Sequence, residues 1–273
     1  MDWFAGASMV SWLNQHVVGH HIYTNVAGAD PDLPVDFEGD VRRIVTRQVL
    51  KPMYRFQHLY LPPLYGLLGL KFRIQDFTDT FVSLTNGPIR VNPPSLSQWV
   101  QLILSKSFWV FYRVYIPLAV FHIPLSSFLP LFLVAELFTG WHLAFNFQVR
   151  TYMYILLVSH VSTECTYPNG SEVKTVLDDE WAVSQVKSSL DYSHGSWLTT
   201  FLAGALNYQV VHHLFPSVSQ YHYPSIAPII MQVCKEYNVR YPILPTFTAA
   251  FGAHLDHLKE MGRQGVPVSV HMG

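Results

Sequence analysis

A stretch of 22 residues without a formal charge, 114–135, constrains the fold of this chain more than any other feature. A helix that crosses about 30 Å of hydrocarbon needs about 20 predominantly apolar residues. Three prolines interrupt the stretch, and a proline inside a helix removes a hydrogen bond and bends the helix. We therefore predict a transmembrane helical hairpin rather than one spanning helix, with crossings near 100–121 and 126–149.

Composition agrees with a membrane protein and excludes one large class of function. Charged residues make up 13% of the chain and hydrophobic residues 50%, whereas a soluble domain carries roughly 25% charged residues. The net charge of −1 leaves no basic surplus to neutralise phosphates, so nucleic-acid binding is excluded. The two cysteines do not form a disulfide framework and fit a reducing compartment.

The segments around the hairpin predict a cap of shorter helices. Residues 58–72 are apolar but too short and proline-broken to span, so we predict an interfacial segment. Residues 28–57 are polar and are expected in water or at lipid head groups. An embedded or interfacial helix is predicted for 196–211, and an amphipathic helix on the aqueous side for 245–261. The predicted fold class is an all-α membrane protein with a cytosolic helical cap.

Two clusters of histidine carry the chemistry. The first comprises His16, His20 and His21, and the second comprises Gln209, His212 and His213. On a helix, His16 and His20 lie one turn apart and His21 lies about 100° further round. The second cluster repeats this layout, so the two clusters together offer five imidazoles and one amide. Neutral nitrogen ligands suit Fe, Zn or Cu rather than Mg or Ca.

A shared metal site is the favoured interpretation of the two clusters, although a single histidine pair is more often a packing or surface feature. If both clusters bind one centre, they must lie on the same membrane face. The number of crossings between them must then be even, and the predicted hairpin supplies two. The alternative is a proton relay or a transporter, which would need ionisable groups within several crossings.

Several strings resemble those of the front-end fatty acyl desaturases, which are membrane enzymes with three histidine boxes. They are WLNQHVVGHHIYTN (12–25), GADPDLP (28–34), YGLLGLKFRIQD (65–76), NGPIRVNP (86–93) and LNYQVVHHLFPSVSQYHYP (206–224). The resemblance covers nearly the whole chain. It is closest to Δ5 members that act on C20 polyunsaturated chains in microbial eukaryotes such as thraustochytrids.

The resemblance implies a diiron centre held by the second and third boxes and by one histidine outside them. These ligands would be His16, His20, His21, Gln209, His212, His213 and His160. Iron would activate O2 to remove two hydrogens from an acyl chain, with two electrons from cytochrome b5. The acyl carrier would be CoA or a phospholipid, and membrane lipid would surround the protein. The protein would be a multi-pass protein of the endoplasmic reticulum, with its histidines cytosolic.

Alternatives in the same class are a Δ6 or Δ8 desaturase and a diiron acyl hydroxylase. A different class is a non-enzymatic, histidine-rich membrane protein that binds or transports a metal. Bound non-haem iron with an O2-dependent product would favour an enzyme, and tightly bound zinc without turnover would favour the other class.

The chain departs from the family pattern at three places. The first histidine box and the His-Pro-Gly-Gly haem motif of a fused cytochrome b5 do not occur in it. We therefore expect an N-terminally truncated desaturase domain over 1–262, a tail over 263–273, and no activity from this stretch alone. Nine extra residues, RTYMYILLV (150–158), precede Ser159 and His160. We interpret them as a retained intron or a gene-model error; if genuine, they put the ligand role of His160 in doubt.

Short polar pairs adjoin each cluster. Asp30 and Asp32 follow the first, and Asp191 and Tyr192 precede the second. Either pair could orient metal-bound imidazoles through hydrogen bonds to the other ring nitrogen, or could form a plain turn.

Other histidines and cations have less specific interpretations. His254 and His257 are expected on a solvated helix face, and His222 fits packing or function equally. The basic pair at 42–43, with Lys51, is expected on a solvated surface that faces head groups, where an acidic electron donor could alternatively dock.

Two further cations lie in the first predicted crossing. Lys106 and Arg113 are seven residues apart and share one helix face. They are expected either to extend towards the interface or to face other helices.

Overall fold

The computed structural model describes residue 3 and residues 6–145, 155–172 and 179–264. Most of these residues are helical. The helices in chain order are α1 (the segments Met9–Trp12, Leu13–His20 and His21–Tyr23), α2 (Pro52–Phe56, Gln57–Leu64, Tyr65–Leu67, Leu68–Phe77 and Thr78–Ser83), α3 (Leu96–Val110 and Phe111–Val120), α4 (Leu125–Phe145), α5 (Ile155–His160), α6 (Trp181–Lys187), α7 (Trp197–Ala203), α8 (Gln209–Leu214), α9 (Gln220–His222 and Tyr223–Glu236) and α10 (Phe247–Met261).

Strands contribute little to the described residues. The pair β1 (Thr85–Asn86) and β2 (Ile89–Arg90) is antiparallel, and β3 (Asp191–Tyr192) and β4 (Ile243–Leu244) are parallel. Each strand has two residues. The predicted all-helical class is therefore confirmed for the described part of the chain.

Hydroxyl side chains cap the N-termini of several helices. Ser8 accepts a hydrogen bond from the amide of Ser11 at the start of α1. Ser95 and Gln98 form a reciprocal capping box at the start of α3, and Thr246 caps α10. Such side chains satisfy amide groups that have no partner within the helix.

The predicted hairpin corresponds to α3 and α4, which follow each other across residues 121–124. His122 has a φ of 51° in this connection, in agreement with a turn. α4 packs closely on α2, because a Cβ added to Gly140 would lie 1.8 Å from the carbonyl oxygen of Gly66. No helix among the described residues combines the length and the apolar character required to cross a membrane. The transmembrane character of the hairpin stays a prediction.

The cations of α3 face neighbouring helices, which is one of the two predicted arrangements. Lys106 Nζ lies 2.7 Å from Oδ2 of Asp76 in α2. Arg113 Nη2 lies 2.8 Å from Oε1 of Glu136 in α4, and Arg73 of α2 pairs with the same carboxylate. These ion pairs hold α2, α3 and α4 together.

The predicted single helix over 196–211 is wrong, because two helices share that segment. Gly204 adopts a φ of 65°, a left-handed conformation that ends α7. The chain then turns through residues 205–208 before α8 begins at Gln209. The break allows α8 to point its histidines inward, while Trp197 and Phe201 on α7 remain exposed.

The basic pair at 42–43 is buried, so the expectation of a solvated surface is wrong. Arg43 is 0% exposed. Its guanidinium donates to the carbonyl oxygens of Gln48 at 2.9 Å, Thr46 at 2.7 Å and Gln264 at 2.7 Å. This cation therefore ties the segment after α1 to the end of α10.

The tail helix lies close to its predicted limits, since α10 spans Phe247–Met261 and the sequence predicts a helix over 245–261. Its two histidines, His254 and His257, are buried. His254 Nδ1 donates to the carbonyl oxygen of Val161 at 2.7 Å, and His257 Nε2 donates to that of Ile44 at 2.9 Å. The expectation of a solvated face is wrong, because the side of α10 that carries these two histidines packs against other segments of the chain.

Candidate metal centre

Six imidazoles from three separate segments meet in the interior of the described chain. They are His16, His20 and His21 of α1, His160 at the end of α5, and His212 and His213 of α8. All six are buried.

The imidazoles form two groups of three. In the first group, made by His16, His21 and His212, one nitrogen of each ring lies within 4.8 Å of the others. The second group, made by His20, His160 and His213, meets the same limit. The groups adjoin each other, since the rings of His21 and His213 stack with centroids 4.5 Å apart.

The geometry of α1 decides which histidines share a group. Residues Leu13–His20 are π-helical, so residues five apart lie one above the other. As a result, Nε2 of His21 lies 3.2 Å from Nε2 of His16. The sequence prediction of an α-helix places His16 and His20 on one face and His21 about 100° further round. In the structure His21 joins His16, and His20 joins the second group. The predicted proximity of His16 and His20 is nevertheless present, because their rings stack and one nitrogen of each lies within 4.8 Å of the other and of an oxygen of Asp32.

Gln209 and His160 lie together, as the family resemblance implied. Nε2 of Gln209 is 3.0 Å from Nε2 of His160, at the edge of the second group. The nine residues before Ser159 do not displace His160 from this position. Residues 146–154, which include Asn146, Gln148 and most of the inserted segment, lie outside the described residues.

Both carboxylates of the Asp30-Pro31-Asp32 turn contact imidazoles. Oδ2 of Asp32 lies 2.5 Å from Nδ1 of His16, and Oδ2 of Asp30 lies 2.9 Å from Nδ1 of His20. The amide of Asn25 donates to Asp30 at 2.8 Å and fixes that carboxylate. Of the two interpretations left open for this pair, the structure favours the orienting role.

Three further imidazoles are held at Nδ1 by residues that the sequence did not single out. His160 donates to the carbonyl oxygen of Ser188 at 2.6 Å. Nδ1 of His213 lies 2.8 Å from Oε1 of Gln185, and Nδ1 of His212 lies 3.2 Å from the hydroxyl of Tyr223. Only Tyr223 falls within a quoted family string, so no local pattern could have identified the other two.

Five of the six imidazoles therefore have Nδ1 engaged, which directs Nε2 towards the centre. Among the described residues, Nε2 of His20 and Nε2 of His213 are buried without a hydrogen-bond partner. A buried polar atom in this state costs about 1–3 kcal/mol unless something binds it.

Burial keeps the imidazoles neutral. It lowers the pKa of His16 and of His160 to about 3 and that of His21 to about 2. Burial raises the pKa of Asp32 to about 8, and burial followed by the charge of Asp32 raises the pKa of Asp30. Neutral nitrogen donors in groups of three fit a late transition metal such as Fe, Zn or Cu.

Asp191 has a different role from the one that the sequence allowed. Its Oδ1 accepts a hydrogen bond from the amide of Val210 at 2.8 Å, at the start of α8. Its Oδ2 lies 2.5 Å from the hydroxyl of Tyr241 and 2.9 Å from Nε2 of His194. Asp191 thus anchors the helix that carries His212 and His213 without contacting their rings.

The other histidines whose side chains the structure describes do not join the groups. His222 is exposed on α9. Nε2 of His254 lies 3.1 Å from the hydroxyl of Tyr65. The side chain of His142 lies outside the described residues.

Comparison with known proteins gives a consistent result. The family model described as "Fatty acid desaturase" matches residues 1–245. An acyl-lipid (8-3)-desaturase of Mortierella alpina is 44% identical over 261 residues, covering 96% of this chain and 56% of that protein. Delta(5) fatty acid desaturase A of Dictyostelium discoideum is 41% identical over 264 residues, covering 96% and 54%. An acyl-lipid (8-3)-desaturase of Physcomitrium patens is 39% identical over 259 residues, covering 94% and 51%.

The chain thus spans a little over half the length of these curated relatives. No solved structure has a significant match to it.

Proposed function

The chain belongs to the fatty acid desaturase family, and we propose that it carries out front-end, Δ5-like desaturation of C20 polyunsaturated acyl chains. The observation that carries this proposal is the pair of adjoining imidazole groups, each with three buried nitrogen atoms within 4.8 Å of one another. The names of the relatives at 39–44% identity support the Δ5-like assignment.

The proposed metal ligands are His16, His20, His21, His160, His212 and His213, with Gln209 at the edge of the second group. Two groups of neutral nitrogens fit two iron ions. Bound iron would supply the activation of O2 needed to remove two hydrogens from an acyl methylene pair, with electrons from cytochrome b5.

The protein's own residues position these imidazoles. When Nδ1 of His16 or His20 donates its proton to the neighbouring aspartate, Nε2 carries no proton and its lone pair is available for a metal ion. A positive charge at Nε2 favours the proton on Nδ1 and the negative charge on Asp30 or Asp32. Because all six rings are buried, bulk water has little access, and the site keeps a low dielectric.

The setting of the reaction is part of the same proposal. The uncharged stretch 114–135 supports contact with membrane lipid, and we place the protein in the endoplasmic reticulum membrane with its histidines cytosolic. The substrate would be an acyl group carried by CoA or by a phospholipid. Cytochrome b5 would dock on the cytosolic side.

A chimaera tests the proposal, because a relative supplies the stretches that lie outside the match. The matched stretch of the Mortierella alpina enzyme is replaced by this sequence, and the chimaera is expressed in a yeast host fed C20 polyunsaturated acids. Fatty-acid analysis should show a new Δ5 double bond. Replacing His212 with Ala should abolish the product, whereas replacing the exposed His222 with Ala should retain it.

Other products would assign the chain differently. A hydroxylated acyl chain would indicate a hydroxylase, and a double bond at Δ6 or Δ8 would correct the regiochemistry. Tightly bound zinc without any product would favour a metal-binding protein over an enzyme.

A further inference from the structure

The side-chain amide of Asn25 lies among three backbone carbonyl groups, and the proposed function does not yet use it. Asn25 lies two residues after the end of α1 and is 3% exposed. Its Nδ2 atom donates to the carbonyl oxygens of His160 at 2.9 Å, Thr166 at 3.0 Å and Ser188 at 3.3 Å. Because a carbonyl oxygen can only accept a hydrogen bond, these three neighbours fix the orientation of the amide.

Two of the three carbonyl groups stand at helix ends. His160 is the last residue of α5, and Ser188 directly follows α6. The last carbonyl groups of a helix have no partner within that helix, and a buried one needs a donor from elsewhere. The side chain of Asn25 supplies a donor to both helices, so it links the end of α1 to the ends of α5 and α6.

These contacts also determine where the imidazole of His160 lies. The carbonyl oxygen of Ser188 that contacts Asn25 also accepts a hydrogen bond from Nδ1 of His160 at 2.6 Å. Asn25 therefore holds His160 at its backbone directly and at its ring through Ser188. Both contacts come from a residue 135 positions earlier in the chain, so the position of His160 does not depend on its own short helix alone.

The backbone of Asn25 reaches a second member of the same imidazole group. Its amide donates to Oδ2 of Asp30 at 2.8 Å, and that oxygen lies 2.9 Å from Nδ1 of His20. The backbone adopts a φ of 59°, a left-handed conformation that asparagine tolerates better than most residues with a Cβ. Since His20 and His160 both belong to the second group, one residue contacts the supports of two of its three members.

The first group has separate supports. Nδ1 of His16 contacts Asp32, and Nδ1 of His212 contacts the hydroxyl of Tyr223. Within the described part of the chain, no hydrogen bond joins Asn25 to any member of this group. Loss of the Asn25 side chain should therefore change the second group and spare the first.

We propose that Asn25 is a positioning residue of the second imidazole group, whose side-chain amide holds the ring of His160 at its distance from the ring of His20. The inference rests on the proposed function, because it concerns the metal-binding geometry of one of the two groups. Asn25 donates to no ring nitrogen itself and acts only through carbonyl groups and through Asp30.

The test variant is Asn25→Gly, which removes only the side-chain donor. Glycine adopts the left-handed backbone without strain, so the amide that donates to Asp30 is retained. Asn25→Asp is a second variant, which keeps the shape of the side chain but has no N–H group. The matched control is Asn238→Gly, because Asn238 also has a positive φ, 54°, and is exposed after α9.

Equilibrium dialysis of the chelator-treated protein in detergent measures the binding of Co²⁺, which directly follows Fe²⁺ in the order of affinities for such donors. Two backgrounds each leave one group complete. His212→Ala leaves the second group, and there Asn25→Gly should raise the dissociation constant by about 10–100-fold. His213→Ala leaves the first group, and there Asn25→Gly should have no effect. Asn25→Asp should act in the same way, and Asn238→Gly should change neither constant.

Weakening that is confined to the second group supports the inference, because a general loss of structure would weaken both groups. Equal weakening in the two backgrounds, or no weakening in either, overturns the inference and leaves the proposed metal site standing. If the unmodified protein binds no Co²⁺, the proposed metal site fails and the inference fails with it. If one of the two Asn25 variants does not fold, the other decides.

Discussion

Oε1 of Gln185 accepts hydrogen bonds from two residues at once, at 2.8 Å from Nδ1 of His213 and at 2.7 Å from the hydroxyl of Thr24. Gln185 lies on α6, Thr24 directly follows α1, and His213 lies on α8. One amide oxygen therefore joins the two histidine segments through a third helix.

Replacing Gln185 with Leu should weaken iron binding by about 10–100-fold, the usual effect of losing a group that orients a metal-bound imidazole. Leucine fills a similar volume but offers His213 no acceptor. Iron retained after dialysis against a competing chelator measures the effect. Gln185→Glu keeps an acceptor and should restore most of the iron, and Gln232→Leu on the exposed face of α9 is the matched control. Full iron content in Gln185→Leu would exclude this positioning role.

Replacing Asp32 with Asn should lower iron affinity by about tenfold. Both oxygens of Asp32 act as acceptors, one for Gln15 and one for His16. Asparagine provides only one acceptor oxygen, so one of the two hydrogen bonds is lost. The same dialysis assay applies, with Asp36→Asn as the control because Asp36 is exposed. Equal iron retention by Asp32→Asn and Asp36→Asn would contradict the expected role.

His257 should make the stability of the protein depend on pH. Burial lowers the pKa of His257 to about 4, from an ordinary value of 6.5. The unfolded chain takes up this proton below pH 6.5 while the folded chain does not, so the contribution of His257 is complete above pH 6.5. It falls as the pH drops towards 4, by about 3 kcal/mol in total.

The variant His257→Gln removes this titration while retaining a donor for the carbonyl oxygen of Ile44. Unfolding of the two proteins in detergent, followed by circular dichroism from pH 7 to pH 4, should give curves that converge as the pH falls. The control is His222→Gln, at an exposed position. Its free energy of unfolding should differ from that of the unmodified protein by the same amount at every pH. Parallel curves for His257→Gln would show that the buried imidazole does not titrate in this range.

Two glycines in helices should respond to alanine in opposite directions. Gly140→Ala places a Cβ 1.8 Å from the carbonyl oxygen of Gly66, so α2 and α4 must separate, at a cost of about 1–3 kcal/mol. Gly252→Ala on α10 meets nothing within 4 Å and should stabilise the helix by about 1 kcal/mol. Thermal unfolding midpoints measure both. A Gly140→Ala variant that is as stable as Gly252→Ala would mean that the two helices do not pack at this point.

Local spacing was sufficient to predict much of the candidate site. The residues within each histidine cluster lie close in sequence, so the convergence of the imidazoles inside one cluster depended only on helix formation in that segment. Asp30 and Asp32 could be proposed as partners for the same reason. The membership of His160 came from the family resemblance alone, since no neighbouring residue indicated it.

Features set by contacts between distant segments could not be predicted in this way. The guanidinium of Arg43 bonds to the carbonyl oxygen of Gln264, which lies 221 residues away, and a basic pair in a polar stretch gives no sign of such a partner. The same holds for His254 and Val161. The π-helical geometry of α1 also has no simple sequence signal, so the pairing of His16 with His21 required the structure.

α1 and α8 each contribute histidines to both imidazole groups, and this arrangement determines how the interior can open. Each group takes members from both helices, and His21 stacks on His213 across them. If either helix detaches, both groups come apart in the same event. The two helices should therefore form one cooperative unit, whose backbone amides exchange with solvent at a common rate rather than as two independently fraying ends.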